Sequence, residues 1–258
     1  MNIRSFLPWP IFYFLKKLKA FPEDFGYFFE FLFKSNLKVS FLKKLWLIYK
    51  CYRISYSVDC PHMEGEMIKV ISAMLSYIGN NKSGVFVEAG SYKGGSTAKL
   101  SLAAKIANRK LVVFDSFEGL PPHKEVHAKN IFGGDAYFPP GSYAGSLEEV
   151  KNNIKKFGVL DVCEFKKGWF ENTMPDFKEA VLIAYIDVDL ESSTRTCVKF
   201  LYPLLLSGGI LFSQDGHLPW VINLLNNENF WENEVRYRKP HIAGLGSKKL
   251  LMIEKKIV

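Results

Sequence analysis

The sequence predicts an α/β fold, a Rossmann-like sheet of seven strands carrying an α-helical extension at its N-terminus, and three features predict it. From residue 84 onward, short and nearly continuous apolar runs alternate with segments of helical periodicity, as parallel strands covered by helices on both faces require. The alternation ends in two strand-like runs joined through glycines with no helix between them, which makes an antiparallel pair. Residues 1–50 differ in kind, holding 15 of the chain's 39 aromatics and nine basic residues against three acidic.

The elements follow in order. The N-terminal module, taken as 1–56, interleaves aromatics with lysines in IFYFLKKLKAF, FGYFFEFLFK and SFLKKLWLIYK. That pattern suits short interfacial helices whose apolar face enters a bilayer while ammonium groups meet anionic lipid. The same aromatics equally suit packing on the body of the protein or on a second copy in a homodimer. The α/β domain, taken as 57–258, opens with a helix at 61–78, where Pro61 suits the first turn and Gly79-Asn80 a stop. His62, Glu64 and Glu66 lie in its first turns, where acids are favoured by the helix dipole. Strands are expected at 85–89, 111–115, 162–167, 182–187 and 209–213, with helices near 94–107, 146–157 and 192–203 and a short helical stretch after the third strand. VRYRK (235–239) and KLLMIEKK (249–256) supply the closing pair. The loop at 116–142 is too long for an ordinary connection and reads as a lid.

The formal charge of +8 is local, since the chain beyond residue 50 holds 25 basic residues against 23 acidic. A nucleic-acid groove over the body is therefore not expected. Four scattered cysteines form no zinc pattern and no disulfide framework, so a reducing compartment is the default. The apolar start is interrupted by Pro8 and Pro10 and closed by Lys16-Lys17 with no cleavage site, and no stretch reaches the roughly 20 apolar residues of a membrane span. A cytoplasmic protein, peripheral at the inner face of the membrane if the N-terminal module binds lipid, is the expectation.

Glu88-Ala89-Gly90-Ser91-Tyr92 closes the first strand and Gly95-Ser96 opens the next helix, where an open α/β sheet binds its ligand. The glycine spacing is not that of a dinucleotide site. An acid at the end of the first strand suits a cationic amino-acid tail better than a pyrophosphate, which favours S-adenosylmethionine (SAM) over NAD. Asp115, 27 residues after Glu88 and followed by Ser116 and Phe117, stands where an acid accepts hydrogen bonds from ribose hydroxyls. Gly168-Trp169 follows the third strand, where an indole could wall an adenine pocket.

FVEAGSYKGGSTAKL, VFDSFEGLPP, SLEEVKNNI, KKGWFENTMP, YIDVDLESSTRTCVKFLYPLLLSGG and FSQDGH together resemble the macrocin O-methyltransferase (TylF-type) family over about residues 84–217. The resemblance implies a class I methyltransferase fold, SAM-dependent O-methylation of a sugar or glycoside, and a divalent metal, usually magnesium. It implies Asp187 as metal ligand and general base, with Gln214 and Asp215 at the later ligand pair. Gln214 departs from the aspartate of the family, removing a full charge and forecasting weak Mg2+ binding. Asp189, two residues beyond Asp187 and on the same side if the strand continues, could assist there but reads first as an N-cap for the following helix, and His217 as a base compensating a weaker metal site or as a surface histidine. The expected acceptor is a small molecule or glycan. Two other readings stand beside this one: a catalytically degenerate, membrane-associated binding protein that keeps the fold, and, against the glycine spacing, a NAD-dependent oxidoreductase.

Overall fold

The structure, a computed structural model, describes residues 22, 24–125 and 128–256. The part of the expected N-terminal module before residue 22 lies outside the described residues. The chain forms two compact units. The first gathers the described residues up to Lys82 with Lys93–Arg109 and Glu148–Cys163, and the second gathers Ser83–Tyr92, Lys110–Leu147 and the described residues from Glu164 onward.

The first unit is helical. Its elements are α1 (24–33), α2 (Phe41–Ser57), α3 (Glu64–Leu75), α4 (Gly95–Ile106) and most of α5 (Leu147–Phe157). Phe28, Phe31, Leu47, Cys51 and Ile54 face inward and are buried. Ser40 caps α2 by accepting from the Lys43 amide. Lys44 is buried because its ammonium closes the end of α1, donating to the carbonyls of Leu32 (3.1 Å) and Lys34 (2.7 Å). Asp24 accepts from the Gly65 amide at 2.6 Å, and a Cβ on Gly65 would stand 2.7 Å from that carboxylate. Only glycine permits α1 to approach α3 so closely. Glu64, expected merely as an acid at a helix start, is fully buried and pairs with Lys99 of α4 at 2.9 Å. Lys99 also donates to Ser55 Oγ (2.5 Å) and reaches Cys60 Sγ (3.5 Å), whose other neighbour is His62 Nδ1 (2.8 Å).

The second unit carries the sheet, built from β1 (Val85–Ala89), β2 (Leu111–Asp115), β5 (Cys163–Lys167), β6 (Val181–Ile186), β7 (Leu205–Ser213), β8 (Ile242–Ala243) and β9 (Leu251–Glu254) in the order β5-β2-β1-β6-β7-β9-β8. The β1, β2, β6 and β7 neighbours pair parallel, whereas β9 is antiparallel to both β7 and β8. The expected Rossmann-like seven-stranded sheet is thus observed. β1 and β6 are buried at every position, as their nearly continuous apolar runs require, the carboxylate of Glu88 being the exception to the apolar run of β1. Helices α6 (Phe170–Thr173), α7 (Glu191–Leu204) and α8 (Pro219–Asn226) complete the unit.

The sequence misplaces one strand. Residues 235–239 are not a strand: Phe230–Val235 forms a π-helical turn that buries Phe230 and Trp231, and Arg236 stops it in the left-handed region at φ 67°. The first member of the antiparallel pair is the two-residue β8 instead. Within the long loop at 116–142 a short hairpin appears, β3 (Ala128–Lys129) against β4 (Asp135–Ala136). The Asn130 side chain closes its turn by accepting from the Phe132 amide at 2.9 Å.

Candidate active site

The carboxyl ends of β1, β2, β6 and β7 deliver most of the expected residues to one edge of the second unit. Glu88 and Ala89 are fully buried, with Glu88 in register between Val113 and Tyr185. Gly90 follows at φ 87°, and a Cβ there would stand 2.0 Å from the carbonyl oxygen of Asp187. No other residue fits between the two strand ends. The Gly90 amide donates to Phe114 and the Asp187 amide to Ala89, both at 3.0 Å, which stitches the three strand ends together.

Asp115 organises the loops that follow. Its Oδ2 accepts from the Ser91 amide (2.6 Å) and hydroxyl (3.0 Å), and its Oδ1 from the Phe117 amide (2.7 Å). Its backbone carbonyl accepts from the Gly168 amide at 3.0 Å. One residue therefore joins the segments beginning at Ser91, Ser116 and Gly168, all three expected at a cofactor site. Burial pushes its carboxyl up, against the amides of Ser91, Phe117 and Tyr92 that favour the charged form. Trp169 is half-buried at the start of α6, and Tyr92 adopts φ 49° with its ring edge-on to Tyr143. Gly95 and Ser96 open α4 in the first unit, where a Cβ on Gly95 would meet Cys60 Cβ at 2.8 Å.

The carboxylates of Asp187, Asp189 and Asp215 converge, each offering an oxygen within 4.8 Å of the others. Asp187 and Asp189 are half-exposed and Asp215 is fully buried. Asp215 Oδ2 accepts from the amides of Val188 (2.9 Å) and Asp189 (3.1 Å), while its buried Oδ1 has no hydrogen-bond partner. Burial, and then the charges of Asp187 and Asp189, push its carboxyl well above the usual carboxylate range. Three like charges and an orphaned buried oxygen are the donor set that a hard divalent cation would satisfy.

Asp189 enters this cluster instead of capping a helix. The cap of α7 is Leu190, with no side-chain hydrogen bond, and Asp189 precedes it at φ 60°. The sequence signal was the two-residue spacing from Asp187. Gln214, expected beside the metal, is buried and its amide oxygen accepts from the Tyr185 hydroxyl at 3.2 Å. His217 is held low, to about 4, by burial first and by Lys249. Its Nδ1 is buried with no hydrogen-bond partner among the described residues.

Residues that sequence reasoning passed over tie the 116–142 loop to this edge. Glu125 Oε1 accepts from the Glu191 amide at 2.9 Å, and its Oε2 lies 3.0 Å from His123 Nδ1. The Ile131 amide donates to the His217 carbonyl at 3.1 Å. Phe138 meets Trp220 edge-on at 6.1 Å, and the Trp220 indole N–H donates to the Asp189 carbonyl at 2.8 Å. The aromatic and charged content of the loop was visible in the sequence, but its partners are distant in the chain.

A family model described as macrocin-O-methyltransferase (TylF) matches residues 63–226. A demethyldecarbamoylnovobiocin O-methyltransferase of Streptomyces niveus is 31% identical over 147 residues, covering 54% of this chain and 55% of that protein. A mycinamicin III 3''-O-methyltransferase of Micromonospora griseorubida is 28% identical over 146 residues, covering 53% and 56%. The match therefore spans about half the length of these curated relatives. Among solved structures, the O-methyltransferase NovP superposes with TM-score 0.65 at 19% identity, over 83% of this chain and 99% of that one. The calicheamicin methyltransferase CalS11 gives 0.53 at 15%, over 82% and 92%. These two likenesses bear on the fold.

Proposed function

The chain belongs to the macrocin-O-methyltransferase family, and on that premise we propose that it is a SAM-dependent O-methyltransferase acting on a hydroxyl of a sugar or glycoside. The observation that carries the reading is the convergence of Asp187, Asp189 and Asp215 at the strand ends that also present Gly90 and the Asp115-centred loops.

SAM supplies an electrophilic methyl group, so that a C–O bond forms to the acceptor as the C–S bond breaks and a neutral thioether leaves. Glu88, Ala89, Gly90, Ser91 and Tyr92 form the glycine-rich approach to it, and Asp115, Ser116, Phe117, Gly168 and Trp169 the nucleoside side. Asp115 fixes those loops through its own hydrogen bonds and so orders the site in advance. Asp187 takes the acceptor proton. A magnesium ion held by Asp187, Asp189 and Asp215 would acidify the acceptor hydroxyl, while the Gln214 amide is engaged by the Tyr185 hydroxyl. His217, uncharged near neutrality, can accept a proton as well. The 116–142 loop excludes water through its ties at Glu191, His217 and Trp220.

Phe138 and Trp220 support a sugar acceptor, because an indole beside carboxylates offers an apolar face for ring C–H groups next to acceptors for hydroxyls. One relative is named for methylating the 4' position of a rhamnosyl-bearing tetracenomycin. Peripheral contact with a membrane through residues 1–50 belongs to the same proposal, with a homodimer as the rival use of those residues. Among the described residues no helix is long and apolar enough to cross a membrane.

Calorimetry with SAM and transfer of a labelled methyl group to glycoside extracts test the reading. Glu88→Gln and Asp115→Asn should each weaken SAM by about 1–3 kcal/mol, the cost of a lost charge-assisted hydrogen bond. Wild-type protein that ignores SAM overturns the assignment. SAM binding without transfer to any acceptor identifies the degenerate binding protein.

A further inference from the structure

The two N-terminal helices are apolar on both sides. Their inner side is filled: Phe28, Phe31, Leu47 and Ile54 are buried against the rest of the first unit. Their outer side keeps Phe25, Phe29, Phe33, Phe41, Leu42 and Tyr49 between 49% and 76% exposed. Four of these rings run on from one another across the two helices. Phe25, Phe29 and Phe33 follow one another at helical spacing on α1, with ring centroids 6.5 and 4.7 Å apart, and Phe33 meets Phe41 of α2 at 6.2 Å. A helix apolar all round requires a second partner for its second face, and an exposed patch of this kind marks an interaction site.

The charges around it choose the partner. Lys43, Lys50 and Arg53 on α2, and Lys34 just after α1, are at least partly exposed, whereas Asp24 is buried and Glu30 is the one exposed acid among the described residues of the two helices. Lys43 lies 3.8 Å and Lys50 5.7 Å from the ring centre of the half-buried Trp46, the pairing of indole and ammonium favoured at headgroup depth. A two-fold dimer through this face would be isologous, bringing two faces of the same positive sign together with one exposed acid on each to offset them. An anionic bilayer offers phosphates to the lysines and acyl chains to the rings.

We propose that the outer face of α1 and of the first turns of α2 is a docking surface for an anionic phospholipid bilayer, with Phe29, Phe33 and Leu42 inserting and Lys34 and Lys43 meeting headgroup phosphates. This inference deepens the membrane reading of residues 1–50 and is independent of whether methyl transfer occurs. Because Phe31, Leu47 and Asp24 belong to the fold, deletion of the segment would unfold the first unit, and surface substitutions are the proper probe.

The test is flotation of the full chain with phosphatidylcholine vesicles, with and without phosphatidylglycerol, together with calorimetry of SAM on the same samples. The expected result is flotation with phosphatidylglycerol at low salt, reduced at least tenfold by Phe29→Ser/Phe33→Ser/Leu42→Ser and by Lys34→Glu/Lys43→Glu, with SAM affinity unchanged in both variants. Failure of wild type to float with phosphatidylglycerol overturns the proposal. So does a wild-type dimer that the triple variant turns into monomer while vesicle binding stays absent. Flotation by a wild-type chain that does not bind SAM upholds this surface and sinks the methyltransferase reading instead.

Discussion

Lys99 and Asp215 are both fully buried ionisable groups, and their surroundings are opposite in kind. Around Lys99 the partners are complementary: Glu64 at 2.9 Å, the Ser55 hydroxyl at 2.5 Å and the Cys60 sulfur at 3.5 Å. Burial alone would raise the Cys60 thiol, but the His62 ring and Lys99 outweigh it and pull it down to about 6. Around Asp215 the nearest charges are two further carboxylates, and one of its oxygens has no hydrogen-bond partner. A buried cluster in which opposite charges meet is bound up with folding. A cluster of like charges works against folding, and its retention at strand ends points to a ligand that folding alone does not need.

The largest effect that could break this comparison is on stability in the first unit. Lys99→Met leaves Glu64 buried without its cation and should cost about 3–5 kcal/mol. Adding Glu64→Gln should return part of that loss. Urea denaturation measures both, and a cost below about 1 kcal/mol for the single variant would remove the structural role given to the Lys99 cluster.

Gln214→Asp sharpens the other side. It shortens the side chain that accepts from the Tyr185 hydroxyl and puts a charge at a buried position next in sequence to Asp215, so the metal-free protein should lose about 1–3 kcal/mol. Magnesium should restore more stability to this variant than to wild type, since it binds the folded site. Thermal melts with chelator and with magnesium decide this, and an equal response of the two proteins contradicts the charge argument for Gln214.

What the sequence revealed follows the same division. Strands β1, β2 and β6 were legible because buried parallel strands are nearly continuous apolar runs, as in VFVEA, LVVFD and LIAYI, with only the site acids Glu88 and Asp115 breaking the pattern. VRYRK misled because its alternation imitates a half-buried strand, while Trp231 and Phe230 just before it bury a π-helical turn. Asp187 and Asp215 were readable from family blocks at the ends of strands. Asp189 was legible only through its two-residue spacing from Asp187, because the pattern before a helix reads first as a cap and the approach of Asp215 is three-dimensional. In the N-terminal helices the aromatic abundance was plain but the faces were not, since periodicity fades when both faces are apolar.

Asp215→Asn should be gentler on stability than either change above. The amide oxygen can still accept from Val188 and Asp189, and a charge repelled by Asp187 and Asp189 disappears. Stability should shift by no more than about 1 kcal/mol, while methyl transfer falls at least about a hundredfold through loss of the cation's carboxylate. Retained turnover with strong destabilisation would invert the contrast with Lys99.

The smallest effect concerns His217. Its folded value of about 4 lies below the ordinary imidazole value, mainly through burial and then through Lys249, with Asp187 opposing. The unfolded chain therefore binds the proton more readily between about 4 and 6.5. Stability from this group is present in full above the unfolded value and is lost as pH falls towards 4, with a slope of at most one proton. His217→Gln should remove that slope and leave stability at pH 8 nearly unchanged. Between pH 6 and 8 the ring is already neutral, so kcat/KM of the wild type should carry no inflection near 6.5 belonging to His217. An inflection there that vanishes in His217→Gln would mean that the ring titrates in solution-like surroundings, and the buried position described for it would be wrong.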